Sequence, residues 1–417
     1  MPGNAARGKI AYMMSRFPHL PETFILREMV ELERQGWQVA LYPLILQKQP
    51  VIHAEAKPWM ARANALPFID PGVVAENARQ IIRQPRNYGA LLGCIIKENA
   101  GNPGFLTKAL ALLPKSVLAA RKMQAEGVRH IHAHYATHPA LAAWIIHRLT
   151  GISYSITAHA HDIFVSQSML KTKVRDAAFV VAISEYNRNF IARHVGEWAR
   201  EKLHVVHCGI DPDCYAPNQE ARARALAQDA PLDILSIGSL QPYKGQAHLV
   251  EACAVLRKAG VPFRCRIIGG GEEQHNLERQ IAALGLGDSV ELLGPRPQEE
   301  VASLLATAGC YVQPSVITSS GKMEGIPVAL MEALACEVPA VATALSGVPE
   351  LIRPGETGFL VSPANPRALA NALVQIAEQP EKAAALAKAG RALVLREFNL
   401  RENVLRLSDL FCRLGNS

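Results

Sequence analysis

A chain of 417 residues with 49% hydrophobic and 19% charged residues has room for two to three domains at roughly 150 residues each, and this balance excludes a disordered or low-complexity protein. Its eight cysteines form no CxxC pair, the opening MPGNAARGK is polar with no apolar signal core behind it, and no apolar run reaches the ~18 residues a spanning helix needs. Reduced thiols, a cytosolic chain and no membrane crossing are therefore expected. The net charge of +7 is uneven: residues 1–200 hold 24 Lys and Arg against 13 Asp and Glu, whereas 201–417 hold 20 against 24.

In chain order, β-rich runs alternate with helical patterns. The first half offers KIAYMM (9–14), WQVALYPL (37–44), RHIHAH (129–134), SYSITA (153–158), AFVVAIS (178–184) and LHVVH (203–207). Between the second and third of these lies most of a basic segment, 79–148, with ten Lys and Arg and two acids interleaved with apolar patches such as LLGCII. Such a surface suits an anionic membrane face; a solvated helical face packed on a core reads the same way. Nucleic acid is not expected as a partner, because stacking aromatics are not interleaved with the basic residues.

The stretch CGIDPDCYAPNQEARARALAQDAP is rich in turn residues and breaks the rhythm, so the domains are expected at 1–208 and 233–398 with a linker at 209–232. A C-terminal helix, about 399–417, can return to the first domain. The second half restarts with DILSIG (233–238), FRCRIIG (263–269), SVELLG (289–294), CYVQPS (310–315), VPAVAT (338–343) and TGFLV (357–361). Both halves thus predict an α/β architecture of two doubly wound, Rossmann-like domains with parallel sheets. Facing each other, they would place a ligand cleft at the carboxyl ends of their strands.

Loops at strand ends in the second half carry the candidate chemistry. SIGSLQPYKG follows the first strand, so Lys244 would enter the cleft where an ammonium can meet phosphate charge; an exposed surface lysine is the alternative. In IIGGGEE the glycines, Gly270 and Gly271 among them, allow a backbone to approach a ligand closely or simply turn. Gln274 stands where a dinucleotide fingerprint needs its last glycine, so that fingerprint fails. In EGIPVALMEAL, Pro327 is expected at the first helical position, with free amides around Gly325 and Ile326 able to bind a diphosphate. Glu324 then sits outside the helix and Glu332 inside it, up to roughly 12 Å apart at ~1.5 Å per residue, near the span from a sugar to a ribose across a diphosphate. Because VALMEALAC is apolar all round, Glu332 is expected to be shielded, which is costly for a carboxylate without partners.

Together GSLQPYKG, IIGGGEE, VELLGPRPQEEVASLLATAGCYVQPS, EGIPVALMEAL and TALSGVPELIRPGETGFLV resemble the donor half of the retaining glycosyltransferases of family 4, which have the GT-B fold. SRFPHLPETFILREMVELERQGWQV, HIHAHYATHPA, SITAHAHDIF and VVHCGIDPDCYAP look like the subgroup that builds exopolysaccharides of the colanic-acid type. The resemblance implies transfer of a hexosyl unit from a UDP- or GDP-linked sugar to a lipid-linked oligosaccharide, by a chain peripheral on the inner face of the cytoplasmic membrane. By similarity Glu324 would hold the sugar hydroxyls, Gly325 and Ile326 the diphosphate, Glu332 the ribose and Lys244 the phosphate charge, while His159 would face the donor sugar. Arg16, Glu22 and Asp162 fall on the acceptor side. The departing diphosphate itself would take the acceptor's proton, and no cofactor or metal is implied, the nucleotide-diphosphate sugar being a co-substrate. Ser239 stands where many relatives place an arginine beside the phosphates, leaving the charge to Lys244 or to a substitute such as Lys322.

Two other readings compete. HIHAH and HAHD could converge as a metal site, with His130, His132, His134, His159, His161 and Asp162 as candidate ligands, although His134 and His161 are expected rather in the core or as supports behind the residues that touch a ligand. The DPD of Asp211 and Asp213 matches a metal-binding DxD, yet lies at the domain boundary and reads as turn chemistry. A non-catalytic sugar-nucleotide-binding protein would carry the same motifs.

Overall fold

The computed structural model describes residues 7–18, 23–47, 55–227 and 230–414. The chain divides into two compact units: one runs through Val206 and resumes at Val404, and the other is His207–Asn403. Each is built on a six-stranded parallel sheet.

In the first unit β1 (Gly8–Phe17), β2 (Trp37–Leu46), β3 (His130–His134), β4 (Ser153–Ala158), β5 (Phe179–Ala182) and β6 (Leu203–Val205) lie in the order β2-β1-β3-β4-β5-β6. All five residues of β3 are buried, as strands covered on both faces require. With side chains alternating between faces, His130, His132 and His134 share one face. In register they meet Ser153, Ser155 and Thr157 of β4. The helix Leu400–Leu414 covers this face: Phe411 packs its ring 5.5 Å from that of His130 and 5.2 Å from that of His132. Its Ser408 accepts from the Trp37 indole at 2.8 Å. Between β2 and β3 the chain inserts the helices Ala56–Arg62, Pro71–Arg83, Pro85–Asn99 and Pro103–Ala125, which contain most of the basic segment. No helix among the described residues is long and apolar enough to cross a membrane.

In the second unit β7 (Leu232–Ile237), β8 (Phe263–Ile268), β9 (Val290–Gly294), β10 (Cys310–Gln313), β11 (Ala340–Thr343) and β12 (Phe359–Val361) take the order β12-β11-β10-β7-β8-β9. Strand order reverses between β7 and β10, and the crevice outside the carboxyl ends there is where such sheets take ligands. The loops after β7 and β10 are locked together at Gly245, whose φ of 69° is left-handed and where a Cβ would overlap the Pro314 carbonyl. The stretch expected as a linker packs into this unit: Tyr215 is 1% exposed and Arg222 is 6% exposed. The helix expected to begin at Pro327 begins one residue later, Val328–Ala335, with Pro327 as its N-cap.

Candidate functional site

The loops after β7 and β10 bring Lys244 and Glu324 together as a charge-assisted hydrogen bond, with side chains 14% and 11% exposed. The other Glu324 oxygen accepts from Ser315 Oγ at 2.6 Å and Gln313 Nε2 at 3.1 Å. Gln313 is held in turn by the Tyr311 hydroxyl at 2.7 Å, and Thr343 Oγ1 donates to the Ser315 carbonyl at 2.6 Å. A nearly buried carboxylate is stable only when so partnered, and here its direction is set by three donors. Burial pulls the Lys244 ammonium down, but the Glu324 carboxylate, helped by Tyr243, outweighs it and raises the pKa above the ordinary lysine value. Lys244 and Glu324, assigned by resemblance to phosphate and sugar, therefore touch each other.

Beside them, Lys322 Nζ lies 2.9 Å from Gln241 Oε1 and 4.5 Å from the centre of the Tyr243 ring, whose other cationic neighbour is Lys244 at 5.5 Å. Two ammoniums thus stand beside the loop that carries Ser239. The backbone amides of Gly325 and Ile326 donate to no acceptor among the described residues, leaving two oriented N–H groups next to the ion pair.

The glycines of IIGGGEE have a packing reason. A Cβ on Gly269 would overlap the Gly238 carbonyl, and one on Gly271 the Leu240 carbonyl. Gly271 is thus explained by close packing of loops, while Gly270 meets only the Pro295 ring, at 3.1 Å. Glu332, expected to be shielded, is half-buried; its Oε1 accepts from the Tyr215 hydroxyl at 2.5 Å, and that hydroxyl accepts from Gln298 Nε2 at 2.9 Å. Tyr311 feels both carboxylates: burial first, then Glu324 and Glu332, push its phenol up.

The first unit gathers a different set. His130 is bracketed by Ser153 (2.8 Å) and Ser155 (2.7 Å), and His132 by Ser155 (2.7 Å) and Thr157 (2.8 Å). His134 reaches His159 through Nδ1 (3.1 Å) and Glu28 through Nε2 (3.0 Å), and Tyr12 donates to Glu28 at 2.7 Å. The two histidine motifs do converge, on an imidazole–hydroxyl ladder. Burial pushes His130 down to about 3. Burial, reinforced by neighbouring imidazoles, holds His132 and His159 well below the usual histidine range.

Glu28, His132 and His134 offer ligand atoms within 4.8 Å of one another. Both ring nitrogens of His132 and of His134 are already engaged, however, so a cation there would have to displace those partners. Asp162, expected on the acceptor side, turns inward instead: it is 1% exposed and accepts from the amides of Ala136 (2.7 Å) and His159 (3.0 Å). Its lone pairs pin the loops after β3 and β4, and burial, against the opposing pull of His161 and these amides, raises its pKa. His161, expected in the core or as a support behind a ligand, is exposed; Arg16 is exposed near the end of β1, and Glu22 lies outside the described residues.

Sequence reasoning missed Glu28, Tyr215, Gln313 and Ser315. Only the last two left a signal: in CYVQPS they alternate on one face of a strand end, where polar residues are unexpected in a buried sheet.

The family model for glycosyl transferases group 1 matches residues 217–393, and that for glycosyltransferase family 4 matches 22–214. The amylovoran biosynthesis glycosyltransferase AmsK of Erwinia amylovora is 30% identical over 98% of this chain and 100% of its own length. WcaL of Escherichia coli K12, named for colanic acid biosynthesis, is 38% identical over 48% of each chain. Among solved structures, sucrose-phosphate synthase from Thermosynechococcus elongatus superposes with a TM-score of 0.73 at 20% identity, over 98% of this chain and 99% of its own. Anabaena HepE in complex with UDP follows at 0.71 and 18%, covering 97% and 99%. With two Rossmann-like sheets of the GT-B kind and a match along nearly its whole length, the chain belongs to glycosyltransferase family 4.

Proposed function

We propose that this chain moves a hexosyl unit, with retention, from a UDP- or GDP-linked sugar to a lipid-linked oligosaccharide during exopolysaccharide assembly. The observation that carries the donor half is the Lys244–Glu324 pair standing beside the free amides of Gly325 and Ile326. Glu324, aimed by Lys244, Ser315 and Gln313, would accept hydrogen bonds from sugar hydroxyls. The two amides with Lys244 and Lys322 would hold the diphosphate, and Glu332, braced by Tyr215, the ribose. As the glycosidic bond breaks, negative charge grows on the leaving diphosphate. Preorganised N–H groups and ammoniums stabilise it without reorganisation, and a diphosphate oxygen takes the acceptor's proton. Lys244 then serves two anions, which keeps the sugar-binding carboxylate and the phosphate at one fixed separation. We propose that the transfer requires no metal.

The names of AmsK and WcaL, and the UDP in HepE, support an exopolysaccharide role and a nucleotide-sugar donor. For the acceptor, an apolar groove of about 540 Å³ lies in the helical insertion, lined by Phe68, Ile69, Val74, Ile81, Tyr88 and Pro114. Ile69 is 85% exposed, and Ile82, next in the chain to Ile81, is 80% exposed. Arg83, Arg86, Lys97 and Lys108 are exposed on the same insertion and make no ion pair among the described residues. Exposed isoleucines with unpaired cations favour an anionic membrane surface, where a lipid-linked acceptor resides. Thermal-shift screening with UDP, GDP and their sugars tests the donor half, because a bound nucleotide stabilises the folded chain by mass action. Transfer that survives chelation, and sedimentation with anionic vesicles at low salt, test the rest. No shift with any nucleotide, or no sedimentation, would overturn the corresponding half.

A further inference from the structure

We propose that Asp162 and Lys173 are positioning residues: they grip Ala136 from opposite sides and hold the loop after β3 so that Thr137 offers its hydroxyl to a sugar of the acceptor. The acceptor rests on the function proposed above; the grip does not. Every residue involved lies in the first unit.

Ala136 is held at both of its backbone groups. Its amide donates to Asp162 Oδ2 at 2.7 Å, and its carbonyl accepts from Lys173 Nζ. Lys173, from the helix Leu170–Asp176, also donates to the Thr137 carbonyl at 3.4 Å, while Asp162 accepts from the His159 amide at 3.0 Å. Asp162 and Lys173 are each only 1% exposed. The grip does not depend on their charge. Ammonium or amine, the lysine nitrogen keeps at least two hydrogens for two carbonyls; carboxylate or acid, the aspartate oxygens keep lone pairs for two amides.

Burying these groups is costly. Desolvation pulls the Lys173 ammonium down to about 7, although Asp162 and Glu98 oppose it, and an apolar side chain of similar length would avoid that cost. What the pair provides is a fixed loop. Tyr135 is a non-glycine residue at φ 78°, a left-handed conformation that persists only where its surroundings over-determine it. Its amide donates to the Thr157 carbonyl at 2.9 Å, and the next residue is Ala136 in the grip.

The loop stands where a ligand is expected. Strand order in the first sheet reverses between β1 and β3, and the crevice outside the carboxyl ends there is where such a sheet takes its ligand. Thr137 is partly exposed and is the N-cap of the helix His138–Thr150, yet its hydroxyl does not cap that helix and makes no hydrogen bond among the described residues. A threonine at an N-cap ordinarily spends its hydroxyl on the helix. Here the group is left to donate to, or accept from, a sugar hydroxyl.

A double-mutant cycle tests this, with lipid-linked oligosaccharide extracted from cells lacking this chain as the acceptor. Lys173→Met keeps length and burial and removes the donors. Thr137→Val keeps the shape of a partly exposed residue, and decides the acceptor claim even where Lys173→Met fails to fold. Each should raise the KM for the acceptor about tenfold, the scale of one lost hydrogen bond, with kcat and the affinity for UDP or GDP unchanged within about twofold. The double variant should be little worse than either, because Lys173 acts through Thr137. Lys173→Met should also speed amide hydrogen exchange at Ala136, read by NMR without any substrate. Unchanged exchange at Ala136 overturns the grip. An unmoved acceptor KM, a fall confined to kcat, or losses that multiply in the double variant overturn the role in acceptor binding. If the unmodified chain transfers nothing to that extract, the function proposed above is contradicted, while exchange at Ala136 still decides the grip.

Discussion

The two units solve one problem, a polar cluster beside the carboxyl ends of buried parallel strands, in opposite ways. In the second unit the cluster is ionic: Lys244 and Glu324, both nearly buried, neutralise each other. In the first it is an imidazole–hydroxyl ladder in which burial keeps His130, His132 and His159 uncharged. The contrast teaches what each surface is prepared to meet. A site that binds a diphosphate needs fixed positive charge, whereas one that reads uncharged hydroxyls is served by neutral donors and acceptors. A stray charge there would have to be desolvated with every substrate.

The largest effect that would break this comparison is on transfer. Glu324→Gln keeps the shape and removes the charge, and should lower the transfer rate by about 10²–10³, the scale of losing one preorganised electrostatic contact, as measured by product formation. A drop of only a few-fold would reduce Glu324 to a structural partner of Lys244.

Lys244→Ala should lower both transfer and stability. It leaves Glu324 nearly buried without its countercharge, at a cost of roughly 3 kcal/mol by analogy with broken buried pairs, read by denaturant unfolding. The double variant Lys244→Met with Glu324→Gln should recover much of that stability and none of the transfer.

Acid should strike the ladder. The unfolded chain protonates its histidines near pH 6.5, while His130, His132 and His159 resist protonation when folded, so the unfolded state binds more protons in that window. Their contribution is complete above about pH 6.5 and is lost as pH falls toward about 3, the value for His130. Each imidazole kept neutral adds a slope of about 1.4 kcal/mol per pH unit. Asp162, whose folded pKa is raised, works in the other sense and flattens the lower end of the window. Unfolding free energies between pH 7 and 5 that do not fall would contradict the uncharged state of these three imidazoles. The smallest effect is expected at Tyr215→Phe, which removes one brace from Glu332 and should weaken nucleotide binding by a few-fold.

Much of this was legible in the residues. Each six-stranded sheet follows the alternation of short buried runs with helical patterns, and the spacing of Glu324 and Glu332 around an apolar helix marks a carboxylate out of place. What stayed hidden is pairing between distant positions. Lys244 meets Glu324 across 80 residues, His134 meets Glu28 across 106 and Tyr215 meets Glu332 across 117. Those meetings depend on which strands are neighbours, and local pattern carries no such information. Asp162 is ambiguous in sequence for a related reason. A short acidic residue after a strand serves a ligand or its own loop equally well in sequence, and here the amides of Ala136 and His159 claim it.

Calorimetric titration of UDP and GDP into the unmodified chain, Glu324→Gln and Glu332→Gln tests the division of labour most directly. The nucleotide that binds should lose affinity by about tenfold, close to 1.4 kcal/mol for a ribose hydrogen bond to a carboxylate, in Glu332→Gln. It should bind Glu324→Gln within a few-fold of the unmodified chain. Equal losses in both variants, or a loss confined to Glu324→Gln, would contradict the assignment of Glu332 to the ribose and Glu324 to the sugar.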